Sequence, residues 1–378
     1  MKITRIEVFE LEAPLAKPWR IATYELKSLL ATLVRVHSDE GLTGIGECIV
    51  RLGPGATRAV VEEVLAPVLI GRDAFDIEGM WDDMYRTMRA RGHSRGYLLE
   101  AISGVDIALW DLMGKKLGLP VAKLLAGHGR SEFPAYASSI LLDTPAVMAE
   151  EAARLAAGGY TAIKMKVGGG QKTDIARMDA VREAVGSKVD VMLDANSGYD
   201  APTAIAVGQH AETLGVFWLE EPVVPDDLAG YRRIRSALKG VRLAAGEGEF
   251  TAAGFRPFLE EGLLDVVQPD IARAGGFTGC RRIAALADAY NVAVAPHTGA
   301  SGPVCIAASL HFAAATPRFL IFENMYIDNP LHEILAQPLP QPKSGVIAAP
   351  TAPGLGVELN AAAVKRFLRK GTASPTTP

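Results

Sequence analysis

Cysteine is scarce in this chain: its 378 residues carry three, Cys48, Cys280 and Cys305, far apart and in no metal-finger spacing. That spacing argues against a disulfide-stapled secreted fold and a zinc ribbon, and predicts a reducing, cytoplasmic setting. No run approaches the roughly 18 uninterrupted apolar residues of a membrane span. The opening MKITRIEVFELEAPL puts Arg5, Glu7 and Glu10 where a secretory leader would keep its apolar stretch. Positive charge is also in deficit. At a net charge of −4 there is no global field to recruit nucleic acid or an anionic membrane. What remains is globular composition, 49% apolar and 22% charged, long enough for about two to three domains.

The first third reads as α+β. Residues 3–12, 29–37 and 41–47 have strand character, the last punctuated by glycine. Residues 57–70 and 75–90 read as helices. The clearest helix spans 99–117, where Ile102, Val105, Leu109 and Leu112 recur at three- and four-residue steps. This gives a capping domain over residues 1–125, joined through a connector around 126–133. A Pro/Gly-rich stretch (337–356), a short helix (360–370) and the disordered-looking tail GTASPTTP make up a C-terminal segment, 337–378, expected to return to the cap.

Between them, residues 126–336 alternate β-rich runs with Ala-rich helical stretches. The runs are 134–140, 161–167, 189–195, 216–220, 241–247, 263–269, 292–297 and 318–323. Eight strands alternating with helices predict a (β/α)₈ barrel. An open dinucleotide-binding sheet is disfavoured because no G-x-G-x-x-G follows the first run.

Active sites of such barrels lie at the C-terminal strand ends. Here those ends carry Lys164 and Lys166, then Asp194, Glu220, Glu247, Asp270, His297 and Glu323. One ionisable position therefore recurs per βα unit, always at the same end. Three carboxylates on neighbouring strands call for a cation, and an all-oxygen set suits Mg²⁺ rather than zinc. Lys164 and Lys166 alternate by two, so both point into the barrel. Two neighbouring ammonium groups would depress each other's pKa and make one of them a base. Asp270 is placed to hold the His297 tautomer, and Glu323 could stand protonated and donate to an oxyanion.

Plainer readings compete. A single carboxylate after a strand often caps the next helix, Lys164 and Lys166 could alternate on an exposed edge, and His297 could be an ordinary core histidine. Glu221, Glu249, Asp265 and His311 are left to capping, pairing or surface roles, and the cysteines to core filling. A Schiff-base aldolase using Lys166 or Lys164, or a non-catalytic metal-stabilised binding barrel, would place fewer demands on the strand ends.

The segment AISGVDIALWDLMGKKLGLPVAKLL (101–125), together with Lys164-x-Lys166, Asp194-x-Asn196, Glu220-Glu221-Pro222, Gly246-Glu247, Asp270 and Pro296-His297, resembles the mandelate racemase subgroup of the enolase superfamily. One departure is Ala126 before Gly127, where the signature usually has glycine. The resemblance implies a modified (β/α)₈ TIM barrel with an N-terminal α+β cap completed by the C-terminal segment. It also implies Mg²⁺ on Asp194, Glu220 and Glu247, Lys166 as one base tuned by Lys164, the His297–Asp270 dyad as the other acid/base, and Glu323 stabilising the enediolate. Cap loops over 15–27 and 48–57 would set specificity, with Trp19, Arg20, Tyr24 and Arg51 touching the substrate beside Asn196. A homo-oligomer, octamer or smaller, is expected.

The chemistry so implied is abstraction of the proton α to a carboxylate of a small molecule. With a β-hydroxyl leaving group the outcome is dehydration to a 2-keto-3-deoxy acid, the leading expectation. The alternatives are racemisation or epimerisation of a hydroxy or imino acid (hydroxyproline-like) and cycloisomerisation of a sugar-acid lactone. The stretches EEPVVPDDLAGY and QPDIARAGGF are similar to galactarolactone cycloisomerases.

Overall fold

Three antiparallel strands open the chain in the computed structural model, which describes residues 1–126 and 129–369. They are β1 (Ile3–Arg20), β2 (Glu25–Ser38) and β3 (Thr43–Cys48), in that order in the sheet. The first hairpin is longer than its sequence suggests. Pairing lapses between Pro14 and Trp19 and resumes at Trp19–Leu26 and Arg20–Glu25. Residues 15–27, expected as a loop, are therefore mostly a hairpin tip. Pro14 and Pro18 lack the N–H a ladder needs, and the irregularity accommodates them while hiding the strand from an alternation test.

Helix Tyr97–Leu117 packs on this sheet and is buried along most of its length. Gly44 and Gly46 make the approach possible, since a Cβ on either would fall about 2 Å from the carbonyl oxygens of Ala108 and Gly104. The helix expected over 99–117 spans Tyr97–Leu117. Gly118, at φ 67, ends it, Pro120 follows, and Val121–Ala126 forms a separate short helix. The stretch read as a helix over 57–70 begins at Pro54 and passes through a wide π turn at Val60–Leu65.

All eight barrel runs become strands. They are β4 (Glu132–Ile140), β5 (Ala162–Lys166), β6 (Asp190–Asp194), β7 (Trp218–Glu220), β8 (Arg242–Ala245), β9 (Val266–Val267), β10 (Ala293–Val294) and β11 (Phe322–Met325). Parallel pairing runs from β10 through β4 to β11. The ring closes where Val294 bridges Phe319 and accepts from Leu320 N at 2.8 Å. Two residues before four of the polar strand ends lies an apolar one: Ala162, Met192, Trp218 and Ala295 precede Lys164, Asp194, Glu220 and His297 and pack as one cluster. Period-two alternation thus stacks an apolar layer under the polar mouth.

The C-terminal segment serves both parts. A further strand, β12 (Val346–Ala348), pairs antiparallel with the start of β4. Helix Ala361–Phe367 then leads to Leu368, which bridges Leu11 of the cap. The tail over 371–378 and Gly127 lie outside the described residues. Among the described residues no helix is long and apolar enough to cross a membrane.

Candidate active site

Strand ends β6, β7 and β8 bring Asp194, Glu220 and Glu247 together, with one carboxylate oxygen from each within 4.8 Å of the others. Asp194 and Glu220 are buried. Their oxygens meet donors on most sides: Asn196 N on Asp194 at 2.9 Å, and Trp218 Nε1 and Gln268 Nε2 on Glu220 at 3.1 and 2.8 Å. Burial and the like charge of Asp194 push the Glu220 carboxyl up. An all-oxygen set of three converging carboxylates, with no nitrogen or sulfur among them, suits a hard divalent cation such as Mg²⁺.

The lysines flank the Asp194 end. Lys166 Nζ lies 2.5 Å from Asp194 Oδ2, while the fully buried Lys164 lies 2.7 Å from Glu220 and 2.8 Å from Glu323. The expected depression of Lys166 by the charge of Lys164 is present, and burial acts downward on both lysines, but the surrounding carboxylates outweigh these effects and raise both pKa values.

His297 stands at the other end of the trio. Its Nδ1 is 2.7 Å from Asp270 Oδ2 and its Nε2 is 3.1 Å from Glu247 Oε2. Burial opposes protonation, yet Glu247, Glu323 and Asp270 together hold the imidazole well above its ordinary pKa. Glu323 faces donors on several sides, which opposes the protonated donor expected from the sequence. It accepts from Ser138 Oγ at 2.7 Å, Thr298 N at 2.6 Å and Gly299 N at 3.1 Å. Burial alone would raise it, but Lys164 and His297 hold its carboxyl far below the usual range.

The cap closes the mouth. Trp19, Tyr24 and Arg51 line the same cavity as Lys166, Asn196 and His297. Arg51 donates to the carbonyls of Gly299 and Ala300 at 2.5 and 3.2 Å. Arg20 does not join them. Adjacent residues of a strand face opposite ways, so with Trp19 turned inward Arg20 lies outside, mostly exposed and paired with Glu25 at 2.7 Å.

Of the residues left to plain roles, Glu249 pairs with Arg95 at 2.6 Å, Asp265 pairs with Arg235 at 2.7 Å, and His311 Nδ1 accepts from Ala122 N. All three cysteines are buried thiols. Glu221 is different. The strand stops at Glu220 and the chain turns at φ 40, burying the Glu221 carboxyl near the trio, where burial and Glu247 push its pKa well up. The doubled Glu-Glu-Pro was its only sequence signal. Gln268, quoted in the sixth run without a role, holds Glu220.

Lysine and histidine side chains flanking three converging carboxylates, at the C-terminal end of a barrel under a small α+β cap, point to an α/β-barrel enzyme class. Residues 3–126 match the profile "Mandelate racemase / muconate lactonizing enzyme, N-terminal domain", and residues 147–363 match "Enolase C-terminal domain-like". The chain belongs to the mandelate racemase/muconate lactonizing enzyme family of the enolase superfamily. It is 37% identical over 380 residues to the D-galactarolactone cycloisomerase of Agrobacterium fabrum, covering 97% of this chain and 99% of that one. It is 34% identical to the D-galactonate dehydratase of Variovorax paradoxus, covering 95% and 92%. Its fold superposes on a racemase from Streptomyces coelicolor A3(2) with bound magnesium at a TM-score of 0.89, with 32% identity covering 97% and 100% of the chains. Both lyases and isomerases are thus among its relatives.

Proposed function

We propose that this enzyme removes the proton α to the carboxylate of a small sugar acid or hydroxy acid and then expels the β-hydroxyl as water, giving a 2-keto-3-deoxy acid. The observation that carries this reading is the pairing of two proton-transfer groups with opposite ends of one carboxylate trio, Lys166 at Asp194 and His297 at Glu247. Mg²⁺ on Asp194, Glu220 and Glu247 would supply the positive charge that stabilises the enediolate, and would offset the carboxylates that keep Lys166 protonated, leaving Lys166 as the base that accepts the α-proton.

The chain's own residues do the rest. Lys166 and His297 approach the α-carbon from opposite faces, because their strands β5 and β10 stand across the barrel with β4 and β11 between them on the shorter way round. Hydroxide is a poor leaving group and needs a proton donor, which the His297 imidazolium, oriented by Asp270, provides. Lys164 remains charged beside Glu220 and Glu323 and neutralises the inner wall. Trp19, Tyr24 and Arg51 close over the substrate, with Arg51 suited to a distal carboxylate or polyol. A Schiff-base aldolase would leave the converging carboxylates of Asp194, Glu220 and Glu247 without a role.

A second reading, cycloisomerisation of a sugar-acid lactone with the ring oxygen as leaving group, is favoured by the 37% identity to a D-galactarolactone cycloisomerase along nearly the whole chain. A library of acid sugars, lactones and hydroxy or imino acids with Mg²⁺, read by semicarbazide for keto acid, tests both. Keto acid from open-chain acids supports dehydration, and product from lactones alone supports the second reading. An epimerised substrate with no keto acid overturns both.

A further inference from the structure

We propose that Glu47, on the cap strand β3, is a positioning residue for the His297–Asp270 pair, acting with Ile49 and Arg51 as a three-point clamp on the histidine side of the mouth. The proposal rests on the reading of His297 as an acid/base group.

Every second residue along the end of β3 and its continuation holds a different support of the pair. Glu47 Oε1 accepts from Gly302 N at 2.6 Å, and Oε2 accepts from Cys305 N at 3.0 Å. These amides open helix Pro303–Ala315, which follows the His297 loop. Ile49 N donates to Ala272 O at 3.0 Å, and Ala272 N donates to Asp270 Oδ1 at 2.8 Å. Arg51 holds the carbonyls of Gly299 and Ala300, while Gly299 N bonds Glu323. The helix start seated on Glu47 also touches the dyad, since Cys305 Sγ lies 4.0 Å from Asp270 Oδ1.

The arrangement needs a carboxylate. Two separate N–H groups meet two separate oxygens; burial pushes the Glu47 carboxyl up to about 7, and the amides of the helix N-terminus act the other way and favour its charged form. An amide in its place would turn one N–H donor against another. Gly302 fits the same logic, since a Cβ there would lie 2.7 Å from both Glu47 oxygens. Its φ of −77 is open to alanine, so Gly302→Ala displaces the carboxylate without touching the mouth.

The test uses the full chain as Glu47→Gln and, independently, as Gly302→Ala. Long-range ¹H–¹⁵N spectra of the histidine rings are compared with wild type, the His297 signals being identified by their loss in His297→Asn. The expected result is displaced His297 signals in both variants, with those of His210, paired to Asp179 on the outer surface, unmoved. Magnesium affinity by calorimetry should hold, because none of the three contacts touches the carboxylate trio. On D-galactonate or D-galactarolactone, kcat should fall about tenfold to a hundredfold with KM nearly constant, as for small misplacements of a reacting group. Unmoved His297 signals in the folded variants overturn the proposal, and so does a lowered Tm with the ring signals in place. If His297→Asn keeps full turnover, the acid/base reading of His297 fails, while the ring signals still decide whether Glu47 positions it.

Discussion

The lysine flank and the histidine flank of the mouth are held in different ways. Behind Lys166, the loop at 168–170 is fixed from within the barrel. The buried Asp174 accepts from Gly168 N and Gly170 N at 3.0 Å, from Tyr199 OH at 2.7 Å and from Arg177 at 2.8 Å. Behind His297, the fixing groups come from the cap. Glu47 seats one helix start, Asp106 accepts from Thr278 N near another, and Ser103 and Trp81 bond the backbone of Gly275. The cap is therefore more than a lid: the backbone around His297 is bonded to it at several points, and the loop behind Lys166 is held by barrel residues.

Several measurements break or sharpen that contrast. Excess chelator strikes both flanks together and should abolish turnover; full activity in its presence would remove the cation from the scheme. His297→Asn should lower turnover by about 10²–10⁴-fold, the usual worth of a general acid or base, with magnesium binding intact by calorimetry. Lys166→Ala should be selective. Solvent deuterium exchange at the α-carbon should vanish for one C2 epimer and persist for the other, and equal loss in both would deny two independent groups.

A smaller effect separates the flanks by stability. Burial holds the His311 pKa down to about 4, on the helix that Glu47 seats. The unfolded chain takes that proton near 6.5 and the folded protein only near 4. Stability should therefore fall as pH drops through this window and level off below it, by about 3 kcal/mol from this group. Urea unfolding at pH 7 and pH 4.5 should show the loss in wild type and a smaller one in His311→Gln. Smallest of all, Arg20→Ala should change kcat/KM by less than about twofold, because an exposed ion pair such as Arg20–Glu25 contributes little.

Much of this was legible in the sequence because period and phase are local properties. Eight β-rich runs and their polar ends needed no knowledge of distant contacts. Most of the errors share one cause, contact between residues remote in sequence. Lys164 and Lys166 read as mutually repelling until Glu220, Glu323 and Asp194 surround them. Glu323 read as a neutral donor until Lys164, Thr298 N and Gly299 N converge on it. Glu47 lay in a stretch noted only for its glycines, and its partners at Gly302 and Cys305 are set by the docking of cap on barrel. Arg20 was misplaced for a local reason, since the strand that turns it away from Trp19 was hidden by two prolines.

The bridge from Leu368 to Leu11 and the contacts of Arg369 with Glu10 and Glu12 have a consequence for synthesis. A ribosome makes the first hairpin well before Leu368 and Arg369, which cover its outer side. Throughout elongation the nascent cap carries Leu11 and two glutamates without their final neighbours, and the barrel strands emerge while it waits. The first hairpin gains these neighbours only after all eight barrel strands have been made.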